Sequence, residues 1–243
     1  GDYENDDEVS FVKEADGSYS LTHKNYEDNA NRLFYIIASK ETNIVFDGVT
    51  ISNTSYGFYP VYKTSPVDLN VNINNVLFEN ISGYAAYCST NQVYLDINHS
   101  SFKHNNNCIF VYTNINVRNT TFEENGGDVL INVSTLSDLI STIDSVSFVR
   151  NTGNNLIHSC LEVRNSIFDS NIITKTGGNS DLITGINNRM SIINTKFKNN
   201  QSQSNLILGN EVVVSNCSFV DNISYQIVIS ENLSVSNSYV YNH

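Results

Sequence analysis

Tryptophan is missing from this 243-residue chain, methionine occurs once and proline twice, at Pro60 and Pro66. So little proline, with only 12 glycines, excludes collagen-like and Pro/Gly-rich low-complexity chains. Only 16% of residues are charged, yet 40% are hydrophobic, which is too apolar for a disordered chain. No apolar run reaches the roughly 18 residues that suggest a membrane-spanning helix. Cations are scarce: 13 Lys and Arg stand against 25 Asp and Glu, a formal net charge of -12. That balance excludes the basic footprint of a nucleic-acid-binding protein. The four cysteines, Cys88, Cys108, Cys160 and Cys217, lack metal-ligand spacing and fall at different repeat phases. They read as small buried hydrophobes rather than disulfide partners. The five histidines share no spacing, so neither a metal site nor a cofactor is expected. Nucleophile-elbow, phosphate-loop and Cys-His patterns are also absent.

What is present is a repeat. Ile115-Asn116-Val117-Arg118-Asn119-Thr120-Thr121-Phe122-Glu123-Glu124-Asn125 alternates apolar residues, then places Asn, a Phe and a second Asn three positions later. Phe102 and Asn105, Phe148 and Asn151, Phe168 and Asn171, Phe197 and Asn200, and Phe219 and Asn222 repeat the pair. Tyr239 with Asn242 reads as a softened copy, and Phe78 has Ile81 in place of the trailing Asn. Successive aromatic anchors are 24, 20, 26, 20, 29, 22 and 20 residues apart. A second apolar segment rich in β-branched residues lies between them. Helical periodicity and the leucine-rich-repeat frame are both absent.

The pattern predicts a right-handed parallel β-helix of about nine coils, because one Phe and one Asn at the same phase of every coil stack on themselves. Residues 1–42 are expected to cap it, and 43–243 to form the solenoid. An aromatic loop is expected at 53–70, and further loops at Gly126 to Ser141 and Asn171 to Met190. Gly126-Gly127 and Gly177-Gly178 read as turn glycines. Asn-x-Ser/Thr sequons occur at Asn53, Asn80, Asn98, Asn119, Asn132, Asn200, Asn216, Asn222 and Asn232, many of them chance products of an Asn- and Ser-rich repeat.

Two surfaces are candidates for function. The loop concentrates Tyr56, Phe58, Tyr59 and Tyr62, which either fold over the rod or form a carbohydrate or protein contact. Outward strand positions build two columns: Asn72, Asp96, Asn116, Thr142, Glu162, Ser191, and Asn74, Asn98, Arg118, Asp144, Arg164, Ile193. They bring Asp96, Arg118, Asp144, Glu162 and Arg164 onto one face. Such a set could supply acid and base for glycoside hydrolysis, or a Ca2+ site with an arginine base for a lyase. Alternating charge down a parallel stack also arises simply to avoid like-charge repulsion.

The Phe-x-x-Asn repeats, preceded by Asn-Ser/Thr-x-Phe, resemble adhesin-like surface proteins of methanogenic archaea and the polymorphic outer-membrane proteins of chlamydiae. The chlamydial proteins add Gly-Gly-Ala and an aliphatic residue. Only Gly126-Gly127-Asp128-Val129 approximates that motif, so the archaeal type fits better. The likeness spans about Asn43 to Asn242. It implies an extracellular, cell-surface stalk or adhesive rod, part of a larger protein, with a host or neighbouring cell surface, glycans included, as partner and no catalysis. The chain opens Gly1-Asp2-Tyr3-Glu4, a processed-looking start, and stops directly after an anchor, as expected of a segment of a longer protein. The competing expectation is a polysaccharide lyase or glycoside hydrolase built on the charged face.

Overall fold

The computed structural model describes residues 9–13, 19–23, 32–38, 40–62, 68–89, 92–113, 115–134, 141–158, 162–175 and 180–243. All the regular structure among them is β, and the strands stack in parallel as a solenoid. A phenylalanine face runs from Tyr19–His23 and Val49–Ser52 through Leu77–Glu79, Ser101–Lys103, Thr121–Glu123, Ser147–Val149, Ile167–Asp169, Lys196–Lys198 and Ser218–Val220 to Tyr239–Tyr241. An ion-pair face stacks Thr42–Asp47, Leu69–Asn74, Val93–Asn98, Ile115–Arg118, Thr142–Asp144 and Glu162–Arg164. A tyrosine face stacks Arg32–Ala38, Tyr56–Tyr62, Tyr84–Cys88, Asn107–Val111, Val129–Val133 and Asn155–His158. The long strands Ile183–Ile193 and Asn205–Ser215 turn the corner and serve both of the latter faces.

Alternation decides the interior. Of the residues that strand alternation turns inward, Leu95, Ile97, Ile115, Val117, Val163, Met190 and Ile192 are buried, and Leu161 lies outside the described residues. Phe78, Phe102, Phe122, Phe148, Phe168, Phe197 and Phe219 form one continuous stack, with neighbouring ring centroids 4.6–4.9 Å apart and planes within 5–12° of parallel. The spacing is that of the strands themselves, so the rings inherit their geometry from the backbone ladder.

Each coil turns sharply on both sides of its Phe, and every turn uses a left-handed residue. Asn75, His99, Asn119, Ser145, Asn165, Asn194 and Asn216 lie three positions before the anchor, with φ from 47° to 58°. Asn80, His104, Glu124, Arg150, Ser170, Asn199 and Asp221 lie two after it, with φ from 52° to 59°. Asn is the residue that tolerates this region best after Gly, which explains the first column. His99 holds the Asn slot, as expected. Gly127 meets a stricter demand: its φ is 100°, and a Cβ there would lie 1.7 Å from the Asn106 carbonyl oxygen.

The asparagine of Phe-x-x-Asn is buried and fully bonded. Asn151 donates from Nδ2 to the Phe122 carbonyl (2.9 Å) and to Asn171 Oδ1 (3.0 Å). Its own Oδ1 accepts from the Asn125 backbone N–H (3.0 Å) and Asn125 Nδ2 (3.0 Å). The same set recurs at Asn125, Asn171 and Asn200, while Asn222 ends the ladder, bonded to the Phe197 carbonyl and accepting from Asn200. At its lower end Asn105 Oδ1 accepts from Ile81 N–H at 3.0 Å, so the coil without the Asn still receives a cap.

Several expectations are corrected. The aromatic loop expected at 53–70 is broken by a strand of the tyrosine face, Tyr56–Tyr62, and its residues 63–67 lie outside the described residues. Pro60 is tolerated because the registered pairing with the next coil ends at Phe58. The expected 1–42 cap already contains coil strands, since Tyr19–His23 and Arg32–Ala38 pair in parallel with Val49–Ser52 and Tyr56–Tyr62. Val9–Lys13 is the edge strand of the phenylalanine face and pairs antiparallel with Tyr19–His23. The loops expected at Gly126 to Ser141 and Asn171 to Met190 are both narrower, because Val129–Val133, Ile172–Ile173 and Ile183–Ile193 are strands. Tyr239 is not the last anchor; Phe219 pairs with Val240, and Tyr239 lies one residue out of phase and exposed. Cys88, Cys108 and Cys217 are free and buried, and Cys160 and Gly177-Gly178 lie outside the described residues. Of the sequons, Asn200 and Asn222 belong to the buried ladder.

Asn151→Ala removes an acceptor from the buried Asn125 N–H and a donor from the Phe122 carbonyl, and is expected to cost about 2–4 kcal/mol. Asn154→Ala, at an exposed bond to Asp128, is expected to cost under about 1 kcal/mol. Urea unfolding of both variants measures the difference.

Candidate functional site

On the ion-pair face the two outward columns form in the expected register. Asn72, Asp96, Asn116, Thr142, Glu162 and Ser191 pair in sequence, as do Asn74, Asn98, Arg118, Asp144, Arg164 and Ile193. The five charged residues nevertheless divide into two groups. Arg118 Nη2 grips both carboxylate oxygens of Asp96 at 2.8 Å. Two coils further on, Arg164 bonds Asp144 through Nε and Glu162 through Nη1, each at 2.8 Å. These pairs lie on an open face, so each is worth a fraction of a kcal/mol to about 1 kcal/mol.

The electrostatics run opposite to acid–base chemistry. Partial burial alone would raise the Asp144 carboxyl, but hydrogen bonds from Asn165, Arg164 and Ser145 outweigh it and hold the group below the ordinary aspartate value. A proton donor to a glycosidic oxygen needs the reverse shift. Arg164 is pushed up by its hydrogen bond to Asp144, which makes it a poorer base. No cluster of three or more His, Cys, Asp or Glu able to hold a metal occurs among the described residues.

The tyrosine face presents a second arrangement. Tyr35, Tyr59, Tyr87 and Phe110 occupy one outward column, with centroids 5.9, 4.9 and 4.9 Å apart. Tyr56 packs edge-on against Tyr59 and Tyr87, Tyr84 leans on Tyr87 and Phe110, and Tyr112 meets Phe110 at 90°. Arg32 caps one end, 4.2 Å from the Tyr59 ring centre and 5.1 Å from that of Tyr35. Burial first and neighbouring tyrosines second raise the Tyr84 and Tyr87 phenols. Tyr56 and Tyr59, two of the expected contact residues, lie in this strip. Phe58 does not: it is fully buried and packs edge-on against Phe46. The strand places it inward, so it is core rather than contact. Tyr62 pairs with Ala38 through the backbone; its side chain lies outside the described set. Tyr35, Tyr84, Tyr87, Phe110 and Tyr112 come from segments that the sequence marks only as apolar. A register alignment of those segments would have revealed the column.

A third feature is a shallow groove of about 230 Å³ on the ion-pair face, lined by Asn70, Val71, Asn72, Tyr94, Leu95, Asp96 and Asn116. A cluster of exposed ion pairs also links Lys103, Glu123, Arg150 and Glu124 at the second turn, and the His104 ring lies between the Glu124 and Glu79 carboxyls. The Arg150 hydrogen bond, followed by that of His104, lowers the Glu124 carboxyl.

No family model and no curated protein matches the chain. Among solved structures, the A-module of the Azotobacter vinelandii mannuronan C-5 epimerase AlgE6 is similar, at 12% identity and a TM-score of 0.27, over 81% of this chain and 73% of that chain. A superposition so loose carries nothing about the chemistry of this chain.

Burial lowers the His158 pKa, so the fold favours the neutral ring. That contribution is complete above the ordinary histidine value and is lost as pH falls below about 6.5. Asp144, also lowered, adds a second loss only in the ordinary carboxylate range and below. Thermal unfolding should therefore show Tm falling in two steps on acidification. His158→Asn should remove the step nearer neutrality and leave the acidic one.

Proposed function

We propose that this chain is a non-catalytic, adhesin-like β-helix displayed outside the cell, and that the tyrosine strip is its contact surface. One observation carries the reading: six tyrosines and a phenylalanine touch one another on the outside of a rod whose core is already filled by the phenylalanine stack. The core does not need these rings. Rigid aromatic side chains with a polar tip give large contact area at a small entropy cost, and they recur at recognition surfaces. Their faces are occupied by one another, so the strip presents ring edges and hydroxyls. That is the chemistry of contact with a protein surface on a neighbouring cell.

The competing reading, a lyase or hydrolase on the Asp96, Arg118, Asp144, Glu162 and Arg164 face, draws less support. Its carboxylates and arginines are paired in two separate groups, and the shifts of Asp144 and Arg164 oppose proton transfer. Labelled protein applied to intact cells and read by flow cytometry tests the proposal. Tyr59→Ser with Tyr87→Ser is expected to reduce binding at least tenfold, while Asp144→Asn with Glu162→Gln leaves it unchanged. Binding that survives loss of the two tyrosines would overturn the assignment.

A further inference from the structure

The groove at Tyr94 is chemically unlike the strip. Tyr94 is 42% exposed, and no other ring of the described residues packs against it. It is the single aromatic residue that lines the groove, half-exposed there, whereas the strip's rings cover one another. The amides of Asn70, Asn72 and Asn116 line the same groove and make no side-chain hydrogen bond to another described residue. Each offers an acceptor and two donors in one plane. Asp96 sits between Asn72 and Asn116 in strand register, so the three polar groups repeat along the rod at about the 4.8 Å strand spacing. Arg118 fixes the Asp96 carboxylate through both oxygens, leaving it oriented with acceptor capacity to spare.

We infer that this groove binds a neutral glycan that lies along the rod. A sugar ring presents an apolar C–H face and a rim of hydroxyls. Tyr94 matches the face, and the amides and the pre-set carboxylate match the rim. A periodic row of partners suits an extended polymer better than a compact ligand. Anionic sugars are disfavoured, because Asp47, Asp96, Asp144 and Glu162 outnumber Arg118 and Arg164 on this face. The inference concerns a different face from the tyrosine strip and stands or falls separately from its role.

Isothermal titration of the intact chain with neutral hexasaccharides tests it: β-1,4-glucan, β-1,4-mannan and α-1,4-glucan, with hexagalacturonate as the anionic comparison. At least one neutral hexasaccharide is expected to bind with Kd of about 1 mM or tighter. Tyr94→Ala should weaken that binding at least tenfold. Tyr94→Phe should keep it within about threefold, because the ring face carries the contact. Tyr59→Ser with Tyr87→Ser should leave it unchanged, which separates this site from the strip. The inference is overturned if no neutral hexasaccharide binds, if Tyr94→Ala binds as well as the parent, or if hexagalacturonate binds as tightly as the neutral chains.

Discussion

Everything in this molecule hangs on what happens to the backbone at the turn after each phenylalanine. The chain bends sharply there through a left-handed residue, and the next N–H points into the interior, where water cannot reach it. A buried amide left without a partner costs on the order of 1–3 kcal/mol. Repeated in every coil, that cost would exceed the stability of an ordinary domain. The asparagine three residues after each Phe removes it. Its carbonyl accepts the N–H of the coil before, and its amide reaches both the Phe carbonyl of that earlier coil and the asparagine of the next. The side chain thus acts as an extra piece of sheet at the one point where the backbone cannot supply it.

The ladder also fixes register. A one-residue slip would carry each asparagine away from its acceptor and each phenylalanine out of its stack, so the two features reinforce each other. With register set, outward positions of neighbouring coils fall into straight columns whether or not those residues attract one another. The arginines and carboxylates of one face and the tyrosines of another are consequences of this placement. Their chemistry is free to vary because the ladder and the stack, not these side chains, set the register. The exterior columns are the positions such a fold leaves open to recognition chemistry, and each face can carry a different one.

Repeat patterns made the scaffold legible in the sequence and left much of its surface hidden. Phe102, Phe122, Asn125 and Asn151 announce themselves by phase alone, and the Asp96 to Arg164 columns follow from strand alternation. The aromatic surface was harder to read. Pro60 and Gly57 made Tyr56–Tyr62 look like a loop, yet a strand that pairs fully on one side only can carry a proline. Taken as a loop, the segment conceals the alignment of Tyr59 with Tyr35 and Tyr87 and offers Phe58 as a contact, although Phe58 belongs to the core. The second left-handed column was invisible for another reason. His104, Glu124, Arg150 and Ser170 share a backbone conformation without sharing side-chain chemistry, so composition gives no sign of it. Tyr239 misled in the opposite way: an aromatic near an asparagine imitates the motif one residue out of phase.

Native-state amide hydrogen exchange reads the asparagine ladder directly. The account predicts that the N–H groups of Asn105, Asn125, Asn151 and Asn171, which donate to side-chain carbonyls at turns, exchange as slowly as the central strand amides of the phenylalanine face, through global unfolding only. Exchange of these four amides at rates typical of exposed turns, with the strands still protected, would contradict it.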